Sequence, residues 1–206
     1  MADDRPDDKV NQFALPHGLG GHVAGYLMAA FNADMERAAV SALAFSPTDA
    51  ALEIGFGPGV GIRVLTRRLP RGFVAGIDPS EVMLAQATRR NGAAIRHGNV
   101  ELRLGTAESL PWESDRFNGV CSVNNIQEWT SLDGDLTEVR RVLRPGGRLS
   151  IAVHQWVDKY AKDRGDRSRP WADHIVAALR RAGFLEIRAW TKRVLSGRAL
   201  YFSAQK

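Results

Sequence analysis

The chain has 206 residues, of which 44% are apolar and 25% charged, with a formal charge of +5 and one cysteine. That length can bury one full hydrophobic core, and the mix is that of a soluble globular domain rather than a disordered or fibrous chain. A lone Cys121 excludes an internal disulfide and a cysteine-built metal centre, and no apolar run approaches the ~20 residues of a membrane span.

Residues 1–12 are acidic and polar, without the basic and apolar regions of a secretory signal; a disordered leader and a cytoplasmic address are expected. The basic surplus falls in pairs such as Arg67-Arg68, Arg89-Arg90, Arg140-Arg141 and Arg180-Arg181, which read as solvated helix faces. No dense basic cluster is interleaved with aromatics, so nucleic acid is disfavoured as a partner. The histidines lack metal-ligand spacing, and no metal is expected.

Residues 13–45 read as a helical cover in two pieces. Leu19, Val23, Leu27, Ala30 and Phe31 form one apolar stripe, and Met35, Ala39 and Leu43 a second. The period then changes. Ala50 to Ile54 is a short apolar run ending in glycines, hence a buried strand, and Val60 to Leu69 is a helix closed by Pro70. Gly72 to Ile77 is a second strand, ending at Asp78-Pro79. Ser80 caps a helix that reaches toward His97. Strands follow at Val100 to Leu104 and Phe117 to Val123, with Cys121 buried and inert in the latter. A helix runs from Leu132 to Leu143, Arg144-Pro145-Gly146-Gly147 turns the chain, and Arg148 to Val153 is the fifth strand. After a polar segment, Trp171 to Ala182 is an amphipathic helix ended by Gly183. Phe184 to Trp190 and Ala199 to Ala204 are joined by a link too short for a crossover helix, so they run antiparallel. The alternation predicts an α/β, doubly wound seven-stranded sheet with a terminal antiparallel hairpin.

The chemistry lies in the turn Glu53-Ile54-Gly55-Phe56-Gly57-Pro58-Gly59-Val60-Gly61, between the first strand and its helix. In an open α/β sheet ligands bind beyond the carboxyl ends of the strands, and glycines let the backbone approach them closely. The spacing is G-x-G-x-G; Val60 stands where the dinucleotide fingerprint needs its third glycine. Glu53 suits a nearby aminoacyl or sulfonium cation and would repel a pyrophosphate. Asp78, at the end of the second strand, is placed to accept both hydroxyls of a ribose.

These residues resemble the class I S-adenosylmethionine-dependent methyltransferases, in the small-molecule branch that includes the ubiquinone/menaquinone biosynthesis enzymes. The matching stretches are LEIGFGPGVG, GIDPSEVML, ELRLGTAESLPWESDRFNGV, EVRRVLRPGGRLSIA and AGFLEI, in family order over about two-thirds of the chain. The resemblance implies a Rossmann-like methyltransferase domain over 46–206, with S-adenosyl-L-methionine as cofactor and S-adenosyl-L-homocysteine as product. It implies that Gly55, Gly57 and Gly59 shape the floor under the methionine and ribose, with Phe56 and Pro79 beside them. Met83 would pack on adenine, Thr106 and Ala107 meet its edge, and Asn124 face the methionyl end. Relatives commonly carry Asp where Thr106 stands. A hydroxyl accepts more weakly than a carboxylate, and Glu108 is the substitute at hand.

The implied reaction is in-line methyl transfer to an O, N or C nucleophile of a small molecule. Glu128 and His154, after the fourth and fifth strands, are the candidate bases; Gln127 stands where relatives often have His. His22 and Tyr26 on the N-terminal cover and Trp129 are candidate substrate contacts, while His17 also reads as a helix cap. Two other readings stay open, a non-catalytic S-adenosylmethionine-binding regulatory protein and an NAD-dependent oxidoreductase. The sequence also leaves the oligomeric state open, a homodimer included.

Overall fold

The computed structural model describes residues 33–161, 163, 165, 170–195 and 197–206. The leader, the first piece of the cover, and with them His17, His22 and Tyr26, lie outside the described residues, as does Ser196. A helix, α1, covers 33–42. It is followed by β1 (Ala50–Ile54), α2 (Val60–Arg68), β2 (Phe73–Asp78), α3 (Glu81–Arg96), β3 (Val100–Leu104) and β4 (Phe117–Val123). Then come α4 (Leu132–Val142), β5 (Leu143–His154), α5 (Trp171–Arg181), β6 (Leu185–Val194) and β7 (Gly197–Gln205), with short 3-10 helices at Ile126–Glu128 and Gln155–Tyr160.

Among the described residues the strands form one sheet in the order β3-β2-β1-β4-β5-β7-β6. The first five run parallel, and β7 enters antiparallel between β5 and β6. Both faces are covered. Ala51, Val74 and Cys121 pack under α2 and α3 with Val40 of α1 and Leu43 just after it. Leu52, Val120 and Ile151 point the other way, into the layer made with α4 and α5. Alternate residues of β1 thus serve opposite cores, which is why the strand reads as a continuous apolar run. Each large side chain so enclosed contributes roughly 1.5–3 kcal/mol.

The helix ends follow their cap chemistry. Ser80 Oγ accepts from the Met83 N–H at the start of α3, and Ser131 Oγ accepts from Gly134 N at 3.2 Å ahead of α4. Each such cap is worth about 1 kcal/mol. Gly183, at φ 82°, closes α5, with Phe184 N donating to Leu179 O at 3.0 Å.

Two boundaries depart from the sequence expectation. β5 begins at Leu143, which pairs with Phe117, so the Arg144–Gly147 segment is an irregularity inside the strand rather than a turn before it. Lys206 N donates to Gly147 O at 2.9 Å and Gly146 N to Lys206 O at 3.1 Å, a long-range pairing invisible to local pattern. The terminal hairpin is also longer at both strands than the apolar runs that predicted it. Most of β6 is exposed, so its ladder bonds continue where no buried face marks them.

Candidate cofactor cleft

β1 ends at Ile54, and Gly55, Gly57 and Gly59 follow with φ of 75°, 50° and 80°. A side chain in this left-handed region costs about 1–2 kcal/mol, which explains the three glycines. The turn is fastened to β2. Gly55 N donates to Ile77 O at 2.8 Å, and Gly57 N to Asp78 Oδ2 at 2.8 Å.

Gly59 does a different job from its neighbours. It caps α2, and a Cβ placed there would lie 2.7 Å from Ala87 Cβ and 2.8 Å from Ala87 Cα. Its carbonyl accepts from Asn91 Nδ2 at 3.1 Å. This glycine brings α2 against α3 and does not itself line the cleft.

The order in which strands are added reverses between β1 and β4, which run parallel: β2 and β3 follow on one side of β1, and β4 lies on the other. At that switch point opens a cleft of about 240 Å³. It is lined by Gly55, Phe56, Gly57, Asp78, Pro79 and Met83, by Thr106, Ala107 and Glu108 after β3, and by Asn124, Glu128 and Trp129 after β4. The fold therefore brings together most of the residues picked from sequence.

Asp78 is 6% exposed, and its Oδ1 accepts from Ser80 N at 2.9 Å. Each carboxylate oxygen thus holds one backbone N–H and keeps further acceptor capacity. Burial pushes its pKa up to about 6, and the two N–H donors pull it back.

Besides Gly59, three picks sit otherwise than expected. Glu53 does not line the cleft; its carboxyl is fully buried behind it, toward Gly61. Burial pushes its pKa well up, and the charges of Glu36 and Asp78 push it further. Asn124, at φ 50°, lines the cleft but turns its amide toward β5 and α1. Its Oδ1 accepts from His154 N at 2.8 Å, and Nδ2 reaches Met35 Sδ at 3.8 Å. His154 is buried outside the cleft lining, its ring stacked on Trp156 at 5.7 Å between centroids. Burial lowers its pKa, partly offset by the Arg198 backbone and the Asp34 charge.

The structure adds residues that sequence reading missed. Asn125 lies over Gly55, and its Oδ1 accepts from Trp129 Nε1 at 2.7 Å, locking the indole at the cleft wall. Glu36 of α1 also lines the cleft, 6% exposed, with burial raising its pKa to about 8. The available signal was its place in the helix: Glu36 and Val40 share a face beside the inward Met35 and Ala39.

The left-handed glycines and a half-filled carboxylate at the end of β2 fit a ligand with a ribose diol and a bulky adenine. A Cβ on any of the three glycines would strain the turn, and Met83 supplies the apolar wall.

Comparison with known proteins agrees with this geometry. Residues 51–147 match the methyltransferase domain family. The uncharacterized methyltransferase YdaC of Bacillus subtilis is 29% identical over 184 residues, covering 89% of this chain and 98% of that protein. The demethylmenaquinone methyltransferase of Symbiobacterium thermophilum is 35% identical over 106 residues, 51% of this chain and 42% of that protein. Among solved structures, phosphoethanolamine N-methyltransferase 2 of Haemonchus contortus, in complex with S-adenosyl-L-methionine, superposes with a TM-score of 0.70. Its sequence identity is 19%, over 84% of this chain and 52% of that one; the likeness is one of fold. The chain thus spans about half the length of these last two proteins. The matched domain, the strand order and the glycine cradle, joined in one molecule, make residues 51–147 a methyltransferase domain whose fold is similar to that of the class I S-adenosylmethionine-dependent methyltransferases.

Proposed function

We propose that the protein transfers a methyl group to an O, N or C nucleophile of a small molecule bound beside the cleft. The observation that carries this is the pairing of the glycine turn with Asp78, whose carboxylate faces the cleft while bracing Gly57. In this reading Asp78 takes the ribose hydroxyls, Met83 packs on the base, and Thr106, Ala107 and Glu108 meet its edge. S-adenosylmethionine supplies a methyl group on a sulfonium, already activated for displacement. The chain's own work is to hold the acceptor in line and keep water away. Trp129, fixed by Asn125, is the wall suited to a flat or apolar acceptor. Where the acceptor must lose a proton, Glu128 is the candidate base on the cleft wall, and His154 lies behind Asn124.

No helix among the described residues is long and apolar enough to cross a membrane. We place the enzyme in the cytoplasm, acting on a small molecule rather than on nucleic acid.

Calorimetry with S-adenosylhomocysteine and with NADH tests the donor; binding of NADH alone would refute the reading. A screen of phenolic, amine and enol acceptors with labelled methyl donor, read by mass spectrometry, tests the acceptor class.

A further inference from the structure

Glu36 and Glu53 come from elements far apart in the chain, yet their carboxyl groups converge over Gly61. A Cβ placed on Gly61 would lie 2.6 Å from Glu36 Oε2 and closer still to Glu53 Oε1, so the two oxygens are within about 5 Å of each other. Glu36 Oε2 and both Glu53 oxygens are buried and have no hydrogen-bond partner among the described residues. Leaving such groups unsatisfied is costly, the more so when they are charged, so a fold that keeps them there calls for a partner.

Among the described residues, the groups facing the pair are acidic or neutral. They are Asp78 at the end of β2, Cys121 on β4 and Tyr201 on β7, whose thiol and phenol are both pushed upward in part by these carboxylates. Asp34, on α1 itself, adds a further negative charge. Of the two glutamates only Glu36 lines the cleft; Glu53 stands behind it.

We propose that Glu36, from the helix ahead of the sheet, is the carboxylate that receives the amino group of the methyl donor's methionine end, with Glu53 as its buried support. The inference rests on the S-adenosylmethionine reading of the cleft. It makes α1 part of the donor site and not only a cover. In the free protein burial holds a proton on Glu36; arrival of the ligand's ammonium favours the carboxylate, and that proton passes to solvent. Donor binding and the seating of α1 are then one event.

The test is calorimetry on the full chain at pH 7, in two buffers of different ionisation enthalpy. The probes are S-adenosylhomocysteine and 5′-methylthioadenosine, which lacks the amino-acid end. Glu36→Gln should weaken S-adenosylhomocysteine about tenfold or more, the worth of a charge-assisted hydrogen bond. It should leave 5′-methylthioadenosine within about twofold and abolish the release of roughly one proton per ligand seen in the wild type. Glu36→Asp, which keeps the charge on a shorter arm, should recover part of the affinity. Equal weakening of both ligands assigns Glu36 to the fold alone and overturns the proposal. Unchanged affinity for both overturns it too. If wild-type protein bound neither probe, the S-adenosylmethionine reading itself would fall. Binding of S-adenosylhomocysteine with indifference to Glu36 sinks only the Glu36 assignment.

Discussion

Replacing Gly59 with alanine separates the two jobs that a glycine-rich turn can do. The residue sits at φ 80°, where an alanine costs about 1–2 kcal/mol. Its new Cβ would also stand 2.8 Å from Ala87 Cα, which is backbone and cannot swing aside, and 2.7 Å from Asn91 Nδ2, which now holds the Gly59 carbonyl. Overpacking of this kind costs about 1–3 kcal/mol. Together the loss is on the order of 2–5 kcal/mol, a large share of the 5–15 kcal/mol by which domains are stable. Urea unfolding followed by tryptophan fluorescence should show the midpoint fall with an unchanged slope. Thermal unfolding should shift down by about 4–20 °C, at 2–4 °C per kcal/mol for a chain of this size. Gly57→Ala, in the cleft wall, should instead lose S-adenosylhomocysteine affinity by a larger factor than stability. A Gly59→Ala protein with wild-type midpoint that had lost only ligand binding would refute the packing role assigned to this glycine.

Other outcomes follow from the buried acids and the thiol. Burial raises the Glu36 pKa to about 8 and shifts Glu53 in the same direction, whereas ordinary carboxyls in the unfolded chain have lost their protons above pH 5. The folded state then binds more protons, so stability of the ligand-free protein should fall from pH 7 to 8, by about 1–3 kcal/mol per pH unit. The buried His154, shifted downward, opposes this only below about pH 6.5, outside the window. Calorimetric melting that rose or stayed level from pH 7 to 8 would count against the buried pair. Affinity for 5′-methylthioadenosine should climb from pH 5 to 7 with a midpoint near 6, where Asp78 ionises and becomes the stronger acceptor. Asp78→Asn should flatten that profile, and a midpoint that persisted in the variant would remove Asp78 from the ribose. Cys121, fully buried and with its thiol pushed upward by burial, should resist Ellman's reagent in native protein and react once unfolded in urea. Stoichiometric reaction of the native protein would contradict the core placement.

Much of the molecule was legible because its signals are local. Short apolar runs between glycine, proline and serine punctuation mark β1, β2 and β4 almost to the residue, since both faces of these strands are buried, while alternation marks the edge strand β3. The Ser80 cap sits one residue ahead of its helix, as read. The left-handed glycines announce the turn, and Asp78 its partner strand. Where pairing is exposed or distant the pattern fails. β6 continues along an edge that no buried face marks, and β5 begins at Leu143 because Phe117 pairs there and Lys206 clasps Gly147.

The sequence by itself determined the strand–helix alternation, the glycine turn and the carboxylate at the end of β2, because each depends on backbone conformation and near neighbours. Only the tertiary structure decided which glycine packs a helix and which lines the cleft, and that Asn124 is spent on β5 and α1. It alone set Glu36 of α1 beside Glu53 at the end of β1. Burial, and the field of one charge on another, are properties of distance in space, and residues 17 positions apart carry no sign in the chain that they will share one pocket of low dielectric.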